Sequence, residues 1–389
     1  MQLKPTYRIL FITGAFALGL LIVYILSIAG AKSKGPIQNA LNQAENNILN
    51  IENSLIIEKR ENKRKKALVA YDSIRSNIDI LKNPKKILLG ASDNSKSESF
   101  EEIINLEDSL NTTFPILSIY TAWGSKANEQ FPELAARTII NLGSTPFITW
   151  EPWLEDFDEA EFPGIPVPEK RGKGSLKAIA NGTYDKYITK WGQGVKALDK
   201  PIFLRFGHEM NDPYRYPWGP QNNKPKDYVA AWKHIRSIFD SLNIKNVLWV
   251  WAPHPAYGYF DAFYPGDEYV DYVGIGILNF GDAATWSKWW TFDELFGVNY
   301  EEFSSFKKPI MITEFGSLVV GGDRGHWFAD ALRQTPKKYP QLKSIVFFHQ
   351  PADKTITSKV VSWYFINDPA TLDSIKEQIA MWPDSLKIK

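Results

Sequence analysis

The stretch Pro201-Ile-Phe-Leu-Arg-Phe-Gly-His-Glu-Met-Asn211 decides the fold that the rest of the chain has to complete. Its first half is apolar and aromatic, which is typical of a buried strand, and Pro201 suits the first position of a strand. Its second half is polar and contains His208, Glu209 and Asn211. A carboxylate at the carboxyl end of a buried parallel strand lies where barrel enzymes hold their reactive groups. The stretch therefore predicts a barrel strand that ends in a functional site.

A second segment, Pro309 to Ser317, repeats this arrangement around Glu314. From Lys85 onward, short apolar runs alternate with helix-like segments. This alternation predicts a parallel sheet with right-handed crossovers, and eight repeats predict closure into a (β/α)8 TIM barrel. The predicted strands are Ile87–Ala91, Ile116–Tyr120, Phe147–Trp150, Ile202–Phe206, Val247–Trp251, Tyr272–Ile277, Ile310–Thr313 and Ser344–Phe348. The predicted helices are Ser99–Asp108, Glu129–Asn141, Tyr184–Leu198, Asp227–Leu242, Phe292–Phe303, His326–Tyr339 and Thr371–Ala380.

An open, doubly wound sheet is the alternative architecture. Such a sheet often binds a nucleotide at a glycine-rich turn after its first strand. The sequence after the first predicted strand, Gly90-Ala-Ser-Asp-Asn, does not fit the GxGxxG pattern. We therefore predict the closed barrel.

The N-terminal part of the chain contains a long apolar segment. Residues 9–31 form a 23-residue run without charge, preceded by Lys4 and Arg8. A span needs about 20 residues, whereas the core of a signal peptide has roughly 7–15. We predict a single-pass membrane anchor within residues 1–35; a cleaved signal peptide is the alternative, because Ala29-Gly30-Ala31 resembles a cleavage site. Lys4 and Arg8 favour an N-terminus inside the cell, which would place the rest of the chain in the periplasm or at the cell surface.

Residues 36–84 are predicted to form a helical stalk between the anchor and the barrel, which would occupy residues 85–389. Apolar residues recur there at alternating steps of four and three, which is a heptad pattern. They are Ile37, Leu41, Ala44, Ile48, Ile51 and Leu55. The pattern is consistent with a spacer or self-association element, or with a single helix packed against the following domain.

The composition excludes some classes of function. Lys and Arg total 45 against 44 Asp and Glu, and this balance argues against nucleic-acid binding. Aromatic residues make up 14% of the chain, which indicates a large core or a carbohydrate cleft where indole rings stack on sugars. The chain has no Cys, and its five His lack metal-ligand spacing, so we predict neither a metal site nor a cofactor.

Polar and aromatic residues follow most of the predicted strands, and a closed barrel would bring these strand ends to one rim. The residues concerned are Asp93, Trp123, Trp150, Glu151, Trp153, His208, Glu209, Asn211, Trp251, His254, Asn279, Glu314, His349 and Gln350. Among them we take Glu151, Asn211 and Trp251 as candidate substrate-binding residues.

Two carboxyl groups that face each other across the mouth of a barrel are the catalytic residues that a glycosidase requires. One protonates the leaving oxygen, and the other attacks or activates water. Strands four and seven lie on opposite sides of an eight-stranded barrel, so Glu209 and Glu314 are expected to face each other. Arg205 shares strand parity with Glu209 and points into the barrel, where it could pair with Glu314 and keep it ionised; a purely structural ion pair is the alternative.

Three motifs resemble glycoside hydrolase family 26, the β-mannanase family, and the resemblance runs from about Lys85 to the C-terminus. They are Phe-Leu-Arg-Phe-Gly-His-Glu-Met-Asn, Ile-Thr-Trp-Glu-Pro-Trp and Met-Ile-Thr-Glu-Phe-Gly. The resemblance implies that Glu209 is the acid/base and Glu314 the nucleophile. It further implies that His208 lines the sugar site and that Trp218 and Trp150 or Trp153 are stacking platforms.

Two positions depart from the family pattern. The sixth strand of the family commonly ends with a Tyr that contacts the nucleophile, and Leu278 stands at that place. The segment Asp212 to Trp218 also differs from the aromatic run of mannanases, and family members act on other β-linked glycans as well. The predicted function is a membrane-anchored retaining endo-β-glycanase, and the anchor suggests a glycan synthase or export complex as its partner. A non-catalytic glycan-binding barrel is the alternative.

Overall fold

The computed structural model describes residues 36–92, 100–355 and 359–388, together with Gly19 and Val23. Eight parallel strands close into a barrel in sequence order, which confirms the predicted architecture. The strands are β1 Leu88–Ser92, β2 Ile116–Ala122, β3 Thr145–Glu151, β4 Ile202–Phe206, β5 Val247–Trp251, β6 Tyr272–Asn279, β7 Ile310–Ser317 and β8 Leu342–Phe348. A short antiparallel hairpin, β9 Asp353–Lys354 and β10 Val360–Val361, follows the last barrel strand.

Helices precede the barrel and alternate with its strands. The first three are α1 Pro36–Ala67, α2 Val69–Arg75 and α3 Ile78–Lys82. The later ones are α4 Glu101–Leu110, α5 Glu133–Asn141, α6 Ser175–Ala180, α7 Asp185–Leu198, α8 Pro225–Ser241, α9 Phe260–Phe263, α10 Val298–Ser305, α11 Arg324–Lys338 and α12 Pro369–Met381. The chain divides into two compact units, Met1–Glu52 and Asn53–Lys389.

Most predicted elements are found within a few residues of their predicted limits. The helix predicted over Phe292–Phe303 is instead a π-helical turn, Asp293–Gly297, that continues into α10. The short helices α6 and α9 and the hairpin β9–β10 were not predicted. Asp93 and the start of the first predicted barrel helix lie outside the described residues, as does most of the predicted anchor at residues 9–31. Within the described part of the chain, no helix combines the length and apolarity that a membrane span requires.

Side chains alternate between the barrel interior and the surrounding helices, as the period of a strand requires. At the amino ends of the strands the interior is filled by an apolar layer. Its members are Leu88, Ile116, Phe147, Phe203, Leu248, Tyr272, Met311 and Val346. The opposite parity packs against the outer helices in a second, larger core. The barrel is therefore closed below by a largely apolar layer.

Helices α2 and α3 form the floor of the barrel. Leu68, Tyr71, Ile74 and Leu81 belong to the same apolar cluster as the lower interior layer. The Tyr71 hydroxyl lies 2.6 Å from Thr145 Oγ1, and the hydroxyl of Tyr272 donates to the Leu81 carbonyl at 2.5 Å. Residues 68–81, which the sequence pattern placed in a stalk, are thus an integral part of the barrel core.

A buried arginine fixes the end of α1 to the barrel. Arg64 forms an ion pair with Glu107 and donates to the Leu142 carbonyl at 2.7 Å and to Ser144 Oγ at 2.6 Å. A buried charge is tolerated only when it is paired and hydrogen-bonded, and Arg64 meets both conditions. The last turn of α1, which precedes the floor, is therefore held by specific polar contacts as well as by apolar packing.

Replacing Leu81 by Ala should destabilise the protein by about 2–5 kcal/mol, because truncating a buried Leu removes apolar contacts and leaves a cavity. The Leu81 side chain is 0% exposed, whereas its neighbour Ile80 is 42% exposed. The matched variant Ile80→Ala should cost less than about 1 kcal/mol. Urea unfolding of both variants tests this, and equal losses of unfolding free energy would show that α3 is not part of the core.

Candidate active site

The turn after β4 brings Glu209 over the barrel. Gly207 and Glu209 both have positive φ, +49° and +52°, a region that a non-glycine residue rarely adopts. The backbone N–H of Glu209 donates to the Ala252 carbonyl at 2.7 Å, which ties this turn to the end of β5. The Glu209 Oε2 atom is buried and has no hydrogen-bond partner among the described residues. Strain and an unsatisfied buried oxygen at one residue are features of functional sites.

A β-bulge in β7 brings Glu314 into the interior. The register with β6 pairs Ile275 with Ile312 but Gly276 with Glu314, so Thr313 is the extra residue. Thr313 and Glu314 consequently both face the barrel axis, although they are consecutive, while Phe315 packs in the outer core. Bulges often redirect a side chain beside an active site.

Arg205 of β4 is the centre of a buried polar network. It forms an ion pair with Glu314, with 2.7 Å between Nη2 and Oε1. Its other donors reach Thr149 Oγ1 at 3.0 Å, Thr313 Oγ1 at 2.8 Å and the Tyr120 hydroxyl at 3.1 Å. Burial opposes ionisation of Glu314, but Arg205 outweighs it and holds the pKa of that carboxyl below its usual value. Glu314 is therefore a carboxylate at neutral pH.

The two carboxyl groups face a common point above β6. A Cβ atom built on Gly276 would lie 3.6 Å from Glu209 Oε1 and 3.9 Å from Glu314 Oε2. Burial raises the pKa of Glu209, the positive potential of His254 opposes the rise, and the negative charge of Glu314 adds to it. One carboxyl is thus biased towards the protonated form and its neighbour towards the ionised form. Carboxyl pairs with pKa values driven apart in this way separate the roles of acid and base.

His208 lines the same cleft as a neutral imidazole. Burial, helped by the positive charges of Arg205 and Arg215, lowers the pKa of His208 well below its usual value. Its Nε2 lies 2.9 Å from the Tyr216 hydroxyl, and its buried Nδ1 has no partner among the described residues. A neutral ring with a free nitrogen suits hydrogen bonding to an uncharged polar ligand.

The cleft lined by Glu314 has a volume of about 410 Å³, within the range typical of small-molecule sites. The residues that line it and bear on its chemistry are Tyr120, Glu151, Trp153, His208, Arg215, Tyr216, Glu314, Gln350 and Asp353. Arg215 Nη2 is 4.0 Å from an Asp353 carboxylate oxygen, so the hairpin after β8 adds charge to the wall. Its mixed polar and aromatic lining fits a ligand with many hydroxyl groups.

Two of the predicted aromatic substrate-binding residues, Trp150 and Trp251, do not line the cleft. Trp150 is fully buried between Trp123 and Trp191, with ring centroids at 4.5 Å and 4.2 Å. Trp251 is also fully buried, and its indole donates to the Phe263 carbonyl at 3.1 Å. Both side chains lie on the outward-facing side of their strands, so they pack between the barrel and the surrounding helices. Of the pair Trp150 and Trp153, only Trp153 borders the cleft.

Two further candidates support the site from behind instead of facing it. Trp218 is fully buried, stacks on Tyr216 with ring centroids 4.6 Å apart, and donates to the His208 carbonyl at 2.8 Å. Both polar atoms of the Asn211 side chain form hydrogen bonds with the backbone of the loop after β5. Oδ1 accepts from His254 N at 2.7 Å, and Nδ2 donates to the His254 and Gly258 carbonyls. Neither Trp218 nor Asn211 lines the cleft in this structure.

Several cleft residues were missed by sequence reasoning. Tyr120 could have been found from strand parity, because Ile116, Ser118 and Tyr120 alternate on the inward face of β2, with Tyr120 nearest the upper end. Arg215 and Asp353 lie in connections whose path cannot be read from a periodic pattern.

One group of described residues has the composition of a cation site. Oxygen or nitrogen atoms of Glu209, Asp212 and His254 all lie within 4.8 Å of one another. A cation bound there would compete with a proton for Glu209. The carboxyl pair itself needs no metal for acid–base chemistry.

Comparisons with known proteins agree with the motifs. The model of glycosyl hydrolase family 26 matches residues 171–303, a segment that includes Glu209 but ends before Glu314. Endoglucanase H of Acetivibrio thermocellus is 33% identical over 253 residues, covering 63% of this chain and 25% of that protein. A mannan endo-1,4-beta-mannosidase of Bacillus subtilis is 27% identical over 257 residues, covering 63% of this chain and 61% of that protein. Over these segments the chain is similar to members of glycoside hydrolase family 26.

The fold of the chain agrees with the sequence similarity to family 26. A GH26 β-mannanase structure from Bacteroides ovatus superimposes with a TM-score of 0.55 at 15% identity, over 81% of this chain and 93% of that one. At that identity the likeness concerns the barrel alone. The chain spans less than two thirds of the two relatives compared in sequence.

Glu151 provides a pH-dependent test of the site. Burial raises the pKa of Glu151 to about 7, so ionising it costs more in the folded protein than in the unfolded chain. A raised carboxyl pKa lowers stability as pH rises from the unfolded to the folded pKa. Glu151→Gln should therefore become more stable than the wild type as pH rises from about 4.5 to 7. Above pH 7 the difference in unfolding free energy should stay constant at about 1–3 kcal/mol.

Thermal or urea unfolding of Glu151→Gln at pH 5 and pH 8 measures this gain. Glu133→Gln on the exposed face of α5 is the matched control and should show no such pH dependence. A difference from wild type that is the same at both pH values would mean that Glu151 is not disfavoured as an anion.

Proposed function

We propose that this protein is a retaining endo-β-glycanase of the family 26 type, with Glu209 as acid/base and Glu314 as nucleophile. The observation that carries the proposal is the facing carboxyl pair with opposed pKa shifts. The similarity of the chain to an endoglucanase and to mannan endo-1,4-beta-mannosidases supports the reaction class. Retaining glycosidases hold their two carboxyl groups about 5–5.5 Å apart, which is compatible with two oxygens that approach one point above Gly276.

In the first step, an oxygen of Glu314 attacks the anomeric carbon while the bond from that carbon to the leaving oxygen breaks. The proton of Glu209 passes to the leaving oxygen, and the sugar remains as an ester on Glu314. The raised pKa of Glu209 makes a proton available near neutral pH, and the lowered pKa of Glu314 keeps the nucleophile ionised.

In the second step, water attacks the anomeric carbon of the ester. Once Glu314 is a neutral ester, it no longer raises the pKa of Glu209, so Glu209 ionises and accepts the proton of that water. The bond to Glu314 breaks, its carboxylate returns to the field of Arg205, and the anomeric configuration is retained.

The substrate class we propose is a β-linked polysaccharide such as a glucan, a mannan or a xylan. The relatives' names support this range, since they also include β-1,3-xylanases. In the cleft, Trp153 offers an aromatic face, and His208 and Gln350 offer neutral polar groups. Sugar C–H faces pack on an indole, while hydroxyl groups require such polar partners.

We further propose that residues 9–31 anchor the enzyme in a membrane, with the barrel in the periplasm or at the cell surface. The uncharged 23-residue run and the flanking Lys4 and Arg8 support this placement. An anchored glycanase would act beside a glycan synthase or export complex on a polymer made by the cell.

The roles of the two carboxyl groups can be tested separately by hydrolysis of mannan, glucomannan, mixed-linkage glucan and β-1,3-xylan. Glu209→Ala and Glu314→Ala should each lose at least about 10²–10⁴-fold in rate. With an activated aryl glycoside, azide should rescue both variants, because it fills the space of the lost carboxylate. Since the two groups flank the anomeric carbon, rescue of Glu209→Ala should give the β-azide and rescue of Glu314→Ala the α-azide.

Exposed Glu133→Ala is the control for this test and should keep full activity. A folded wild type that binds these polymers without cleaving any of them would identify a glycan-binding barrel instead of an enzyme.

The anchor is tested by expressing the full chain and a chain that begins at Pro36. After alkaline carbonate extraction, the full chain should remain in the membrane pellet, because a spanning helix is not released by high pH or salt, whereas the shortened chain should be soluble. A mature N-terminus at or near Lys32 in the full-length product would show a cleaved signal peptide and contradict the anchor.

A further inference from the structure

The two oxygens of Glu314 have different surroundings. Oε1 accepts a hydrogen bond from the Tyr120 hydroxyl at 2.8 Å and one from Arg205 Nη2 at 2.7 Å. Oε2 receives no hydrogen bond from any described residue and points to the place above Gly276 that Glu209 also faces. The carboxylate is therefore fixed by hydrogen bonds at Oε1, whereas Oε2 accepts none from the described residues.

Tyr120 is itself held in place by the network. Its hydroxyl accepts from Arg205 Nη2 at 3.1 Å, and the guanidinium carbon lies 5.5 Å from its ring centroid. Burial, together with the neighbouring Glu314 charge, raises the pKa of Tyr120 well above its usual value. The phenol thus keeps its proton and has one direction in which to donate it, towards Glu314 Oε1.

Strand β6 contributes no polar side chain to this centre. Its inward positions are Gly274 and Gly276, and Leu278 follows at the rim, with its Cδ2 3.2 Å from the Cβ position of Gly316. The hydroxyl that orients Glu314 therefore comes from β2, on the other side of the nucleophile.

We propose that Tyr120 is a positioning residue that, with Arg205, fixes Oε1 of Glu314 and so selects Oε2 as the attacking oxygen. This inference rests on the proposed function. When the ester forms at Oε2, Oε1 becomes its carbonyl oxygen and keeps both donors. When the ester breaks, the electron pair of the C–O bond returns to the carboxylate, and its charge is again shared with Oε1 beside Tyr120 and Arg205.

Replacing Tyr120 by Phe removes one hydrogen bond to a charged group and leaves the ring in place. We expect kcat to fall by about 10- to 100-fold, since such a bond contributes about 1.5–3 kcal/mol, with KM changed by less than about twofold. Tyr264→Phe is the matched control: its hydroxyl also bonds a carboxylate, Asp267, at 2.8 Å, but at the surface away from the cleft. Its kinetics should equal those of the wild type.

The pH profile separates positioning from a structural effect. The charged and titratable groups that face Glu314 are Arg205, Arg215, Glu209, Glu151 and Tyr120. Because the Tyr120 hydrogen bond favours the ionised form of Glu314, its loss should raise the Glu314 pKa and move the acidic limb of kcat/KM to higher pH. A loss of rate without that movement, or a change confined to KM, would overturn the inference.

A titration that does not depend on turnover distinguishes this inference from the proposed function. Carboxyl resonances of protein labelled with ¹³C-glutamate report each pKa directly, and the signal missing in Glu314→Gln identifies Glu314. That signal should titrate at higher pH in Tyr120→Phe than in the wild type. An unchanged titration overturns the role of Tyr120 whether or not the protein is active, whereas an inactive wild type with a shifted titration would refute only the glycanase.

Discussion

The buried ion pair between Arg205 and Glu314 is the interaction on which the upper half of the barrel depends. Removing a guanidinium and a carboxylate from water is costly, and their attraction offsets that cost only when the remaining donors are satisfied. Here Thr149, Thr313 and Tyr120 satisfy them, so the guanidinium carried by β4 has one partner on β2, one on β3 and two on β7. Loss of either charge would leave the other buried alone, which typically costs about 3–5 kcal/mol. The position of the nucleophile and the stability of the upper barrel are thus two consequences of one contact.

The same pair sets the protonation of the whole cleft. Arg205 holds Glu314 ionised, and the charge on Glu314 helps to keep the proton on Glu209. Burial lowers the pKa of His208, and the positive charge of Arg205 lowers it further, which leaves that ring neutral. These effects are large because the groups are buried, where charges are poorly screened. Two identical side chains therefore behave oppositely because Arg205 and Tyr120 donate hydrogen bonds to Glu314, whereas burial and the charge of Glu314 raise the pKa of Glu209.

Strand order and the inward direction of Arg205 could be predicted from the sequence, since both follow from apolar runs and a period of two. The two carboxyl groups could be predicted as site residues because each follows an apolar run at a strand end. The same period assigns Trp150 and Trp251 to the outer face, and their aromatic character was a misleading signal because Trp fills cores as readily as clefts. The bulge at Thr313 could not be predicted, since it breaks the period, and it is what turns Glu314 inward. Nor does a helical pattern show which partner its apolar stripe will find, as residues 68–81 illustrate.

The floor formed by those residues bears on the chemistry above it. The Arg205 guanidinium carbon lies 5.3 Å from the ring centroid of Phe147, and Phe147 belongs to the apolar layer that Leu68, Tyr71 and Leu81 close from below. Without that closure, water could enter the barrel from its lower end and screen the attraction between Arg205 and Glu314. Screening would weaken both the pairing and the opposed pKa shifts of the carboxyl groups. The segment between α1 and β1 therefore supports the site without touching it, because it completes the apolar layer beneath the ion pair.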